Sequence, residues 1–161
     1  MMILNMKRLY YLLLALPLAF FASCDDDNEL PEVTFDVTMS GGVESNGQIY
    51  IVQGETLAVD EVKVTSDTDK TATLGATTYY WNGLPVGTTI VVPFAWEFDT
   101  TDLAPGAYGL QIQTNVYQTD KAPGVALLSY IVNVVESEDQ LPSDGAALGT
   151  RTMTPQISEA K

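Results

Sequence analysis

The chain has 161 residues, enough for one domain of ordinary size and too few for two. Seven basic residues against 21 acidic ones give a net charge of −14, which repels phosphate backbones and makes nucleic acid a poor partner. The absence of histidine and the lone cysteine take away the commonest general base and metal ligand and rule out an intramolecular disulfide.

At the N-terminus, Lys7 and Arg8 precede an apolar run, Leu12 to Phe21, which contains Pro17 and leads into Ala22-Ser23-Cys24. A basic start, a short apolar stretch and small residues before a cut form a secretory signal. The run is about 10 residues long, against the ~20 of a spanning helix. Met6 offers an alternative start, since Met6-Lys7-Arg8 opens a more ordinary signal. Residues 1–23 are therefore expected to be removed. Their loss takes two of the seven basic residues and none of the 21 acids, leaving five against 21, a net charge of −16.

Phe21-Ala22-Ser23-Cys24 resembles the lipobox of bacterial lipoproteins, with Phe21 where the family usually carries Leu. The resemblance implies cleavage before Cys24 and diacylglycerol on its thiol. Acyl chains then hold the protein on the membrane, each buried CH₂ contributing ~0.8 kcal/mol. That covalent lipid is the one non-protein group expected; no cofactor or metal is. Asp25-Asp26-Asp27 follow, with Glu29 and Glu32 close behind. The run resembles the export signal by which some Gram-negative groups display lipoproteins outside the outer membrane. In other Gram-negative bacteria an Asp after the cysteine favours retention in the inner membrane. Residues 24–32 are read as an acidic spacer, disordered from Asp25 to Pro31 because almost nothing in it can pack. Surface display in the outer membrane is the expected location.

From Val33 to Glu136 short β-type runs alternate with turn signals. Val33, Phe35, Val37 and Met39 share one face of the first run. Ile49–Val52 is a second. Thr56–Thr65 alternates around Leu57, Val59, Val62 and Val64, and the parity slip at Asp60-Glu61 predicts a bulge. Thr73–Asn82 ends at Asn82-Gly83; Thr88–Val92 and Phe94–Phe98 follow, divided by Pro93. Ala107–Tyr117 and Val125–Val135 are the longest strands. Seven or eight closely spaced strands without helical periodicity predict an all-β sandwich over residues 33–136. Residues 137–161, polar and without sustained apolar period, are expected to be a flexible tail.

Two features resemble immunoglobulin-like domains: Trp81 in the third major strand, and Asp102-Leu-Ala-Pro-Gly-Ala-Tyr108, similar to a tyrosine corner with Leu110 in place of the second disulfide cysteine. The stretch from Thr77 to Val135 is similar to bacterial Ig-like modules of envelope proteins. The resemblance implies an immunoglobulin-like β-sandwich and says little of function.

No catalytic set emerges. Serine or cysteine chemistry lacks a histidine, and no motif surrounds the few lysines. Asp99 and Asp102, and Asp67 and Asp69, flank loops as calcium ligands can, but turn-forming acids bonded to nearby N–H groups explain them better. Tyr79, Trp81, Trp96, Phe98 and Tyr108 are assigned to the core. On the outward side fall Tyr80, Gln111, Gln113, Asn115, Tyr117, Ser129 and Asn133, with Leu127 and Ile131. An almost uncharged face of amides and tyrosines suits sugars or a protein ligand. The sequence thus reads as a lipid-anchored, non-enzymatic envelope module for binding or adhesion. The alternative is an accessory subunit of an envelope complex, such as one for polysaccharide uptake.

Overall fold

A computed structural model describes residues 29–160. The signal segment, Cys24 and Asp25, Asp26 and Asp27 lie outside the described residues. The alternation read from Val33 onward forms β1 (Val33–Ser40), whose odd-numbered side chains are buried. There follow β2 (Val43–Ser45), β3 (Gln48–Val52), β4 (Thr56–Ser66), β5 (Ala72–Trp81), β6 (Leu84–Thr89), β7 (Trp96–Asp99), β8 (Gly106–Gln118) and β9 (Gly124–Val135). The bulge falls where the parity slips: Thr38 pairs with Glu61 but Met39 with Val59. Asp60 is the extra residue, so that Val59 and Val62 both stay in the core.

The strands form two sheets. One has the order β1-β4-β7, and the other runs β2-β3-β9-β8-β5-β6. Apart from the parallel β3–β9 pair, the neighbours are antiparallel. The inward rows meet in one core that includes Phe35, Leu57, Tyr79, Leu110, Ile112 and Val132, all fully buried. Each large side chain so buried contributes about 1.5–3 kcal/mol relative to exposure. This is an all-β, immunoglobulin-like sandwich. Its tyrosine corner is closed: the Tyr108 hydroxyl donates to the Ala104 carbonyl at 2.7 Å. Asn82-Gly83, both at positive φ (48° and 77°), make the tight β5–β6 hairpin.

Three expectations need correction. The strands around Pro93 are displaced: β6 begins at Leu84, and Ile90–Val92 are exposed loop residues rather than strand. The spacer is docked from Glu29 on. Ala122 N–H donates to the Glu29 carbonyl (2.9 Å), Asp67 N–H to that of Glu32 (3.0 Å), and Pro31 is buried.

The tail is the largest departure. After a 3-10 turn (Glu138–Gln140), residues 146–159 form β10 (Ala146–Ala147), β11 (Thr150–Met153) and β12 (Gln156–Glu159). These pair with β2, β1 and β9 respectively. Pairing satisfies backbone groups that β1 and β9 would otherwise present at an open edge. Leu148, Met153 and Ile157 pack on the core, and Arg151 pairs with Glu44. The tail crosses from one sheet to the other between β11 and β12, strapping the seam of the sandwich.

Candidate functional site

The strands β5, β6, β8 and β9 contain no charged residue. The opposite sheet carries Asp36, Asp60, Glu61, Lys63, Glu97 and Asp99 within β1, β4 and β7. The acidic charge is therefore unevenly placed, and the four strands β5, β6, β8 and β9 form an uncharged field on a strongly acidic chain.

Register assembles the predicted side chains on the outer face of these strands in rows. Gln111 lies between Tyr80 and Ser129, and Gln113 between Thr78 and Leu127. Asn115 pairs with Val125, and Tyr117 with Thr73. Between Leu74 and Thr77 the β5 register shifts against β8, leaving Gly75 and Ala76 together opposite Asn115. That bulge gives Tyr117 its position. A Cβ on Gly75 would come within 2.9 Å of the Tyr117 ring, so the ring leans across β5 into space only glycine leaves open. It remains 46% exposed, the most open aromatic of the set.

Two depressions divide the face. One, of about 940 Å³, is lined by Gln113, Asn115, Tyr117 and Val125, with Ser158 and Glu159 of β12 among its remaining residues. The other, of about 560 Å³, is lined by Gln111, Ser129 and Ile131 beside the Asn82-Gly83 turn. Tyr80 stands in the row of the second without lining it.

Hydrogen bonding separates structural amides from free ones. Gln118 donates to Glu32, Ser66 and Thr68, and Gln53 to the Leu103 carbonyl at 2.6 Å. Asn133 belongs with these: its amide donates to Gln48 Oε1 (2.9 Å) and the Ile49 carbonyl (3.4 Å). It fastens β3 to β9 and is withdrawn from the candidate set as a free donor. The side-chain amides of Gln111, Gln113 and Asn115 make no such bond among the described residues.

The aromatics assigned to the core are only partly there. Tyr79 is fully buried and its hydroxyl donates to the Phe94 carbonyl. Burial pushes its phenol well above the ordinary range, and does the same to Tyr130. Trp81, Trp96 and Tyr108 are half-buried at the open seam between β6 and β7. There Trp81 stacks on Phe98 and Tyr108 (centroids 5.3 and 5.4 Å). Trp81, Trp96, Phe98 and Asp99 line a cleft of about 310 Å³ that sequence patterning missed, because alternation marks inward residues without showing where a sheet ends. The buried Trp81 Nε1 has no partner among the described residues. Asp99 is a turn-former, accepting from the Thr101 N–H (2.9 Å) and hydroxyl (2.6 Å), which holds its carboxyl below the usual range. Among the described residues no three acids, histidines or cysteines gather as metal ligands, and no helix is long and apolar enough to cross a membrane.

No family model and no curated protein matches this sequence. Among solved structures, the chain is similar to the fibronectin(III)-like modules of Clostridium thermocellum CbhA. Identity is 16%, the match covers 70% of this chain and 52% of that one, and the TM-score is 0.42. The matched region spans about half the length of that chain.

Proposed function

We propose that this protein is a non-catalytic binding module of the bacterial envelope, anchored by lipid on Cys24, displayed outside the outer membrane, and using the outer face of the four uncharged strands of its larger sheet. The observation that carries the binding reading is the set of unbonded amides of Gln111, Gln113 and Asn115 beside Tyr117, on strands that bear no charged residue. Amides that serve the fold are hydrogen-bonded elsewhere in this molecule; these are left open to a ligand. The anchor rests on the lipobox resemblance, and display on Asp25-Asp26-Asp27.

An anchor at Cys24 would stand close to the folded domain. Glu29, where the chain docks, is five residues past Cys24. At about 3.5 Å per residue, a lipidated Cys24 holds the Lys121–Gly124 end of the sandwich within roughly 18 Å of the bilayer.

A second reading, an accessory subunit of an envelope complex, is favoured by Leu84, Val86, Ile90, Val91 and Val92. These are 45–75% exposed along β6 and the loop after it, and contiguous exposed apolar side chains mark protein contacts.

Protease treatment of intact cells tests the proposal, with fatty-acid labelling of the native chain and Cys24→Ala. Labelling lost in Cys24→Ala and digestion of the native domain support it. An unlabelled or protected native protein overturns the anchor or the display. Co-purification of stoichiometric partners, lost on changing Ile90 and Val92 to Asp, selects the second reading.

A further inference from the structure

We propose that the larger depression is a glycan groove, taking a short stretch of a neutral oligosaccharide, and that the C-terminal strap builds one of its walls. The inference rests on the binding-face reading and narrows it to one end of the face and one class of ligand.

The floor comes from β8 and β9, which present Gln113, Asn115, Tyr117 and Val125. The wall is β12. Ser158 pairs with Val125, and Ala160 N–H donates to the Pro123 carbonyl at 3.2 Å, fixing Ala160 beside the groove. The wall is held from beneath at Gly124. A Cβ there would come within 2.8 Å of Ile157 and 3.0 Å of Pro31, so the docked spacer and the strap meet on the same glycine. Without residues 156–160 the depression loses one side and becomes open sheet.

The chemistry selects the ligand. Free amides offer paired donors and acceptors at fixed spacing, the Ser158 hydroxyl and Glu159 carboxylate add acceptors, and the exposed Tyr117 ring gives an apolar platform. Sugar rings present hydroxyls at their edge and C–H groups on their face, which matches both. Among the described residues no basic side chain lines the groove, and the chain carries −14 overall, so acidic glycans are disfavoured. At about 940 Å³ the space is at the upper end of ordinary small-ligand sites and suits several sugar units rather than one. The large exposed aliphatic side chains that a protein partner favours lie mainly elsewhere, on β6 and its loop.

The test is titration of the folded domain with hexasaccharides of glucose, mannose and galactose, and with hexagalacturonate as the acidic counterpart. Binding is followed by calorimetry and by amide chemical shifts. Tyr117→Ala removes the platform, and Ser158→Trp fills the groove from an exposed position of β12. Gln111→Ala alters the other depression. Thermal melting confirms that each variant is folded. The expected result is binding of at least one neutral hexasaccharide, weakened about tenfold or more by Tyr117→Ala and by Ser158→Trp and unchanged by Lys63→Ala at an exposed position of β4 on the opposite sheet. Preference for hexagalacturonate, or insensitivity to the two groove variants, overturns the inference. Loss of sugar binding in Gln111→Ala alone places the site at the other depression, so the groove falls and the face stands. If no neutral sugar binds but a protein partner is lost on changing Tyr80 and Tyr117 to Ala, the glycan falls and the face stands. Binding untouched by any of these changes defeats both.

Discussion

Gly87 lies directly beneath the Trp96 indole: a Cβ on Gly87 would sit 2.0 Å from two of its ring carbons. Trp96 in turn stacks on the buried Tyr79, with centroids 5.8 Å apart. The contact bridges β6 and β7, the edge strands of the two sheets, across the half-open seam. Gly87→Ala must push the indole away from Tyr79, because the obstructing atoms belong to a rigid ring. Overpacking of this kind costs about 1–3 kcal/mol. Urea unfolding should show a lower midpoint of that size and a red-shifted tryptophan emission. An unchanged midpoint would mean that Trp96 leaves the seam at no cost.

Thr77 and Thr114 form a different cross-strand pair, their hydroxyls 2.7 Å apart at 0% and 1% exposure. Each also reaches a carbonyl at long range, Thr77 that of Gly75 at 3.4 Å and Thr114 that of Asn115 at 3.5 Å. Replacing one hydroxyl strands the other. Thr77→Val or Thr114→Val alone should therefore cost about 1–3 kcal/mol, whereas the double change should be nearly neutral. A double-mutant cycle by chemical denaturation measures this. Additive single losses would show that the hydroxyls do not depend on each other.

How far the sequence reveals this molecule depends on the range of the interaction. Alternation in β1, β8 and β9, the bulge at Asp60 and the tyrosine corner at Tyr108 are local patterns, and each is found where it was expected. The outward-facing residues of β5 and β8 follow from the same parity. The bonds of Asn133 to Gln48 and Ile49, about 85 positions away, are invisible to local patterning, since no local period reports a parallel β3–β9 pair. The tail was misread for the same reason. Its strands are two to four residues long, and Leu148, Met153 and Ile157 are spaced too widely to show a strand period. They become strands by pairing with edges more than 100 positions away in the case of β1 and β2. The edge of a sheet, where Trp81 and Trp96 are left half-open, is likewise a property of topology alone.

The docked spacer should respond to acid. Glu29 pairs with Lys121, whose hydrogen bond and charge hold the Glu29 carboxyl below its ordinary range and raise the Lys121 ammonium. A carboxyl with a depressed folded pKa stabilises the docked state above its unfolded value, and that contribution is lost as pH falls. The loss should begin near about pH 4.3 and continue below it. The raised Lys121 works at the other end, its contribution fading as pH rises past about 10.4. Exchange of the Ala122 amide, bonded to the Glu29 carbonyl, should therefore accelerate below pH 4 more than that of core amides in β8, after correction for intrinsic rates. Lys121→Met should remove the difference. An Ala122 amide that tracks the core through the acid range would show that the ion pair does not hold the spacer.

The strap makes the strongest claim on stability. A chain ending at Val135 loses the partners of β1, β2 and the first half of β9, and uncovers Leu148, Met153 and Ile157 contacts on the core. Partial burial of three such side chains is worth about 3 kcal/mol in sum, before the strand hydrogen bonds are considered. The truncated protein should therefore unfold at lower urea by at least that amount. It should also self-associate, because β1 then offers an open edge bearing unpaired N–H and C=O groups. Sedimentation velocity separates the two effects. A subtler variant, Ile157→Asp, leaves β11 on β1 and disturbs β12 alone, so it should cost about 1–2 kcal/mol without association. If the truncated chain instead stayed monomeric at full stability, β10 to β12 would be ornament on a sandwich already complete at Val135. The groove wall at Ser158 would then have a purpose of its own.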